Sequence, residues 1–192
     1  MTYASVLSTG KYSLAAYVNA VKFVSLRLMG DKASTAYSKV FPDRYQNLMN
    51  GIQKLNDHAH IWVIDESHVY QTPAMYSSDQ QDFYNMVIEI ETNLNPLQLL
   101  DEVKKIEIKM GREPDKKKNM PRSIDVDILA FGDILIRSKL LEIPHPKIIE
   151  RKFVLKPWND IAPDFLVPNS KKNIAELLRI TKDGSSTRMV LI

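Results

Sequence analysis

Pro121-Arg122-Ser123-Ile124-Asp125-Val126-Asp127-Ile128-Leu129-Ala130-Phe131-Gly132 is the stretch on which the reading of this chain turns. Apolar residues alternate with others through its middle, the period of a strand whose successive side chains leave opposite faces. Strict alternation sets Ile124, Val126, Ile128 and Ala130 on the core side and projects Asp125 and Asp127 together from the other. Two carboxylates one pleat repeat apart repel each other unless a cation lies between them. Mg²⁺, a hard ion that takes oxygen ligands and phosphate, suits that place. Arg122 adds positive charge at the strand's entrance, and Pro121 fixes the approach of the preceding loop. An isolated Asp-x-Asp is as readily an exposed strand face with solvated acids, so the flanking sequence decides.

Upstream lies the clearest helix, with Asn95 as its cap, Pro96 at its first position and Gly111 just past its end. Leu97, Leu100, Val103, Ile106 and Met110 form its apolar stripe, Glu107 lies beside that stripe, and Arg112 follows the helix end. Residues 113–120, with Lys116, Lys117 and Lys118, are polar and aperiodic and read as a loop. Three lysines in a row are usually solvated; beside a carboxylate pair they can fold over polyphosphate. Residues 83–92 read as a strand with Tyr84, Met86, Ile88 and Ile90 on its buried face; the Phe83, Asn85, Val87 and Glu89 face is too polar to be buried.

A strand is expected over residues 61–69, leading into Tyr70-Gln71-Thr72-Pro73-Ala74-Met75-Tyr76 and a polar loop. Before it, Asp43 caps a helix with the stripe Tyr45, Leu48, Ile52 and Leu55, and His58 and His60 follow in a surface turn. A short strand is expected over residues 34–40. In residues 1–33, a Ser13-capped helix carrying Leu14, Val18, Val21 and Leu28 and ended by Gly30 is favoured over a strand across residues 20–26. Downstream, residues 133–136 read as a hairpin partner of the Asp-x-Asp strand. The extended segment Leu141-Glu142-Ile143-Pro144-His145-Pro146 sets where His145 points, and a helical turn from Lys147 leads to Arg151 and Phe153. Turns at residues 161–163 and 167–169 precede a short helix over residues 173–180.

A length of 192 residues suits one domain with a sizeable core, and 44% apolar with 26% charged residues is ordinary globular composition. No apolar run approaches the ~20 residues of a membrane span. With no cysteine, disulfides, thiolate metal sites and a cysteine nucleophile are excluded. The N-terminus lacks the order of a signal peptide, so a cytoplasmic protein is expected. The net charge of +3 is compatible with anionic ligands and too slight for nucleic-acid binding; the lysine run has no interleaved aromatics. Strands alternating with helices, with hairpin-like strand neighbours, give an α+β class: a ferredoxin-like α/β sandwich with a mostly antiparallel central sheet and helices on its faces.

Pro121-Arg122 ahead of Asp125-x-Asp127, with Pro144-His145-Pro146 and Arg151-x-Phe153 after it, resembles the 6-hydroxymethyl-7,8-dihydropterin pyrophosphokinases of folate biosynthesis. Tyr70-x-Thr72-Pro73, Asp82-Phe83-Tyr84-Asn85, Ile106-Glu107 and Gly111-Arg112 support the resemblance, which covers roughly residues 43–170. It implies transfer of a pyrophosphoryl group from ATP to the pterin hydroxymethyl group, with release of AMP. Asp125 and Asp127 would be the ligands of two Mg²⁺ ions, and Arg112 and Arg122 would hold phosphate. Glu107, Ile128, His145 and Arg151 match nucleotide-binding positions. Thr72, Pro73 and Ala74 match the pterin loop; Asn85 would hydrogen-bond the pterin edge, Phe153 would stack on it, and Phe83 replaces the usual tyrosine.

Three departures stand out. Pro114 and Asn119 replace residues that are often arginine and tryptophan, and Lys104 replaces a frequent glutamine. The glycine-serine-asparagine loop that opens the family matches residues 25–31 or residues 37–44, each imperfectly. Residues 1–33 then read as an extension and residues 34–192 as the pyrophosphokinase-like domain. The alternative is an impaired relative that binds ATP or pterin, or a structural partner of another folate enzyme. The family also occurs fused to or associated with dihydropteroate synthase or dihydroneopterin aldolase. Partners outside the substrates, such as nucleic acid or membrane, are not expected.

Overall fold

The computed structural model describes residues 22–28, as backbone, and residues 44–73, 82–112 and 124–190. In chain order the elements are β1 (Lys22–Leu28), α1 (Arg44–Asn56), β2 (Ile61–Glu66), β3 (Tyr70–Thr72), β4 (Phe83–Thr92) and α2 (Pro96–Lys109). They continue with β5 (Asp125–Phe131), β6 (Ile136–Arg137), β7 (Glu142–Ile143), a 3-10 turn (Ile148–Glu150), α3 (Lys152–Ile161), α4 (Ile174–Ile180) and β8 (Arg188–Met189). The main sheet has the order β5-β1-β4-β3-β8, and β2 pairs with the other end of β4. Every pairing in it is antiparallel. The expected α+β sandwich is present.

The spine is β4. One edge pairs with β1; the other pairs with β3 at its start and β2 at its end. Met86, Ile88 and Ile90 pack with Leu48 and Leu55 of α1 and Leu99 and Val103 of α2 in one core. The opposite face, expected to be too polar for burial, is also covered. Val87 packs with Phe153, Val154 and Trp158 of α3 and Leu177 of α4 in a second core, and Phe83 and Asn85 are buried beside it. A ten-residue strand between two helical layers needs no alternation, so its polar residue had to find a partner instead. In α3, Pro157 masks the helix in the sequence, because proline lacks the N–H and disfavours a helix interior.

Residues 22–28 form a strand, correcting the helix favoured for this region. β1 lies between β4 and β5 with its backbone paired on both sides. Two ladders outweigh a helical spacing of apolar residues, which a buried strand can mimic. Of the two matches for the family's opening loop, the one over residues 25–31 therefore begins in a sheet strand. Residues 29–43, which hold the strand expected over residues 34–40 and most of the second match, lie outside the described residues, as does Ser13.

The α1 stripe is as expected, with Leu48, Ile52 and Leu55 buried. Asn95 caps α2 through a reciprocal box: its side chain accepts from Leu97 N and Gln98 N at 3.1 and 3.0 Å, and Gln98 Oε1 accepts from Asn95 N at 2.9 Å. Its buried stripe is shifted from the expectation: Leu99 is fully buried where Leu97 and Leu100 are half-buried. The hairpin expected over residues 133–136 is corrected as well. Ile136 and Arg137 pair with Ile143 and Glu142 in a separate small sheet rather than with β5.

Candidate active site

Among the described residues β5 has only β1 as a strand neighbour, and its burial alternates as the sequence requires: Val126 and Ile128 are buried, Asp125 and Asp127 half-exposed. The alternation does not reach Ala130. The register to β1 runs Asp127 opposite Ser25 and Ile128 opposite Val24, then Ala130 opposite Phe23, which leaves Leu129 without an opposite residue. This extra residue turns Leu129 and Ala130 into the second core and Phe131 into the first. The Leu129 carbonyl accepts the main-chain N–H of His145 at 2.8 Å, so the irregularity holds the histidine against the end of the Asp-x-Asp strand.

Beneath the carboxylate pair lies Glu107, fully buried. Its Oε1 accepts from the main-chain N–H of Val126 at 2.8 Å and from Lys104 Nζ at 2.9 Å, and its Oε2 pairs with Arg112. Arg112 also reaches Asp125, N to O at 3.8 Å. A carboxylate this deep requires such partners. The resemblance placed Glu107 among nucleotide-binding residues; in the fold it joins α2 to the residue between the two aspartates and pairs with Arg112. Ile128 turns its side chain into the α1–α2 core, so a nucleotide could meet only its main chain.

His145 accepts the N–H of Lys147 on Nδ1 at 3.2 Å, which leaves Nε2 to carry the ring proton. Burial lowers its pKa; Asp127 opposes that shift, while Arg151 and Lys147 add to it, and the balance stays below the ordinary histidine value. The shift favours the neutral ring, which can donate a hydrogen bond through Nε2. The Arg151 guanidinium stands 5.6 Å from the centre of the Phe153 ring. Asp127, His145, Arg151 and Phe153 thus gather where β5 meets the start of α3.

On β4, Asn85 is fully buried. Its Nδ2 donates to Thr72 Oγ1 at 2.9 Å and to the Tyr70 carbonyl at 3.4 Å, while its Oδ1 has no hydrogen-bond partner among the described residues. A buried amide oxygen left open is costly unless a ligand donor fills it. Thr72 and Phe83 face each other across the β3–β4 ladder and are buried; Pro73 is exposed. The register sets Asn85 and Asp125 opposite the same residue, Arg27 of β1, and on the face turned toward α3. Two strand spacings place them about 10 Å apart. Arg122, Ala74 and the lysines 116–118 lie outside the described residues.

Among the described residues no group of three metal-ligating side chains occurs. The donor set Asp125 and Asp127 still fits Mg²⁺, which is usually held by one or two carboxylates and completes its shell with water and phosphate. Sequence reasoning had no means of finding the carbonyls of Leu129 and Tyr70, since a main-chain acceptor leaves no residue-type signal.

The family model described as 7,8-dihydro-6-hydroxymethylpterin-pyrophosphokinase matches residues 35–163. The folic acid synthesis protein FOL1 of Dictyostelium discoideum is 38% identical over 133 residues, 69% of this chain and 20% of that protein. The 2-amino-4-hydroxy-6-hydroxymethyldihydropteridine pyrophosphokinase of Aquifex aeolicus is 37% identical over 134 residues, 70% of this chain and 82% of that one. This chain thus spans about a fifth of the folic acid synthesis proteins it resembles and most of the length of the bacterial proteins. Among solved structures, Plasmodium falciparum HPPK-DHPS with pteroate has a TM-score of 0.61 at 16% identity, covering 83% of this chain and 42% of that one. That likeness supports the fold.

Proposed function

This chain belongs to the 7,8-dihydro-6-hydroxymethylpterin-pyrophosphokinase family, and from that premise we propose that it transfers the pyrophosphoryl group of ATP to 6-hydroxymethyl-7,8-dihydropterin. The pterin hydroxyl oxygen bonds to the β-phosphorus, the bond from that phosphorus to the α-bridging oxygen breaks, and AMP leaves. The hydroxyl proton passes to solvent or to a nearby base. One observation carries the reading: Asn85, with its open buried acceptor, and Asp125 lie in one row of the sheet, about 10 Å apart by strand spacing, the span of a pterin with a phosphoryl group at its hydroxymethyl end.

Each residue has a task in this reading. Asn85 Oδ1 accepts from the N–H edge of the pterin, and Phe153 offers its ring for stacking. His145 donates through Nε2 to the nucleotide, and Arg151 supplies charge to it. Arg112, held by Glu107 beside Asp125, reaches the phosphates, and Arg122 joins it. Asp125 and Asp127 are the residues to hold Mg²⁺, which when bound neutralises charge developing on the phosphates. Positioning and charge neutralisation supply most of the acceleration, since phosphoryl transfer asks little covalent work of a protein. No helix among the described residues is long and apolar enough to cross a membrane, and a cytoplasmic location accompanies the reading. The folic acid synthesis relatives and the HPPK-DHPS structures fit a role for this chain as one module beside other folate activities.

The test is AMP release from ATP and Mg²⁺ with and without 6-hydroxymethyl-7,8-dihydropterin, on the wild type and on Asp125→Ala and Asp127→Ala. Pterin-dependent AMP that vanishes in both variants supports the reading. A folded wild type that releases none overturns it, and titration with ATP and pterin then shows whether binding alone remains.

A further inference from the structure

Three donors from the approach to β3 converge on one carboxylate of α3. Tyr70 donates its hydroxyl to Asp160 at 2.9 Å to Oδ1 and 3.0 Å to Oδ2. The main-chain N–H of His68 reaches Oδ2 at 3.3 Å, and His68 Nδ1 lies 3.1 Å from the same oxygen. Tyr70 is buried, and burial followed by the Asp160 hydrogen bond and charge pushes its hydroxyl pKa far upward, so it stays a donor. Lys156, one turn earlier on α3, stands 5.2 Å from the centre of the Tyr70 ring and donates to the Thr187 carbonyl at 2.9 Å. The ring is therefore gripped by a cation on its face and a carboxylate at its tip.

Tyr70 is also held at its main chain, because its carbonyl accepts from Asn85 Nδ2. The same amide nitrogen binds Thr72 Oγ1, so Tyr70, Thr72 and Asn85 form one unit. On the other side, α3 carries Phe153 in its first turn and Asp160 in its last. These two positions are about two turns apart and share a helix face. The Asp160–Tyr70 contact is thus a fixed strut between the helix that presents Phe153 and β3, which carries Thr72 and is hydrogen-bonded to Asn85 of the neighbouring β4.

We propose that Asp160 and Tyr70 are positioning residues for the pterin subsite, setting the gap between the Phe153 ring and the Asn85–Thr72 pair. The proposal rests on the pyrophosphokinase reading. Neither residue touches the pterin; both act through the walls of its slot. Asp125 and Asp127 sit on β5, His145 is held against that strand and Arg112 follows α2, while Arg151 caps the far end of α3 from Asp160, so the effect falls chiefly on the pterin.

Steady-state kinetics on Tyr70→Phe, Asp160→Asn and the double variant, varying each substrate in turn, tests this. Tyr70→Phe keeps the ring under Lys156 and removes only the hydroxyl, which guards against a trivial folding failure. Each single variant is expected to raise KM for the pterin about tenfold, the worth of one hydrogen bond to a charged group. KM for ATP is expected to stay within about twofold, and the double variant to be no worse than the poorer single one, as for two ends of one contact. An unchanged pterin KM overturns the proposal while leaving the pyrophosphokinase reading intact. A parallel rise in both KM values with a falling Tm reduces the strut to general stability and overturns it too. A wild type without pterin-dependent turnover sinks both.

Discussion

The carboxylate of Glu107 accepts the main-chain N–H of Val126, the residue between Asp125 and Asp127, at 2.8 Å. This one bond fixes the height of the carboxylate pair against α2. The same side chain holds Lys104 and Arg112, so two cations and one strand N–H depend on a single buried anion. Removing it takes the shared acceptor from all three, though Lys104 still reaches the Val126 carbonyl at 3.5 Å and Arg112 reaches Asp125 at 3.8 Å.

Glu107→Ala is therefore expected to lower stability by about 3–5 kcal/mol, as for a buried pair that loses one partner. Glu107→Gln keeps an acceptor for Val126 and loses the charge, with an expected cost of about 1–3 kcal/mol. Denaturant unfolding measures both. Equal, negligible losses would show that the Val126 bond does not hold the strand.

Chelation addresses the carboxylate pair. Treating the active protein with excess EDTA is expected to abolish pterin-dependent AMP release, and Mg²⁺ added back restores it. Asp125→Ala or Asp127→Ala should leave the protein folded by circular dichroism and slow turnover by about a thousandfold, the scale of several kcal/mol of charge stabilisation. Full activity in EDTA would remove the metal from the mechanism.

Asn85→Ala removes the open acceptor on β4. A site built to hydrogen-bond a substrate discriminates strongly when that bond is missing, so KM for the pterin should rise by about 10–100-fold. KM for ATP should hardly move, since the nucleotide residues lie on other elements. If both constants shift together, Asn85 serves the fold rather than the pterin.

Asp183 gives a pH test of how α3 is held. Its carboxylate accepts the N–H of Lys152, at the start of α3, and the N–H of Ser185, each at 2.8 Å. Partial burial pushes the carboxyl pKa up, but the backbone hydrogen bonds from Ser185 and Lys152, with the Ser185 hydroxyl and the Lys152 charge, outweigh this, and it ends below the ordinary value. A depressed carboxylate contributes stability above its unfolded pKa and loses it as pH falls through its folded one. Asp183→Asn is accordingly expected to destabilise by about 1 kcal/mol at pH 7, the scale of a helix cap, and the gap to wild type should close below about pH 4. A difference unaltered by acidification through and well below the ordinary carboxylate range would contradict the charge-based account.

The placement of Asp125, Asp127 and His145 was legible because these residues are tied to local patterns. A period of two marks Asp125 and Asp127 as neighbours on one face, and proline on either side of His145 fixes its segment. The reading failed where burial on both faces erased the period. β1 reads as part of a helix because a strand paired on both sides carries no outward signal, and the Asn85 face reads as wet because nothing local announces α3, whose Pro157 argues against a helix.

The sequence alone determined the α+β class, the helices at Asn95 and Asn173, the carboxylate pair and the family resemblance, since each follows from caps, periods and spacing within a short stretch. Only the tertiary structure decided that β1 lies between β4 and β5, that Leu129 breaks the alternation to hold His145, and that Glu107 supports Val126 from below. It alone joined Asp160 to Tyr70, 90 residues apart in the chain. These are hydrogen bonds and ladders between distant segments, satisfied when buried polar groups find partners in the folded chain. The order of residues along the chain does not reveal which partners will meet.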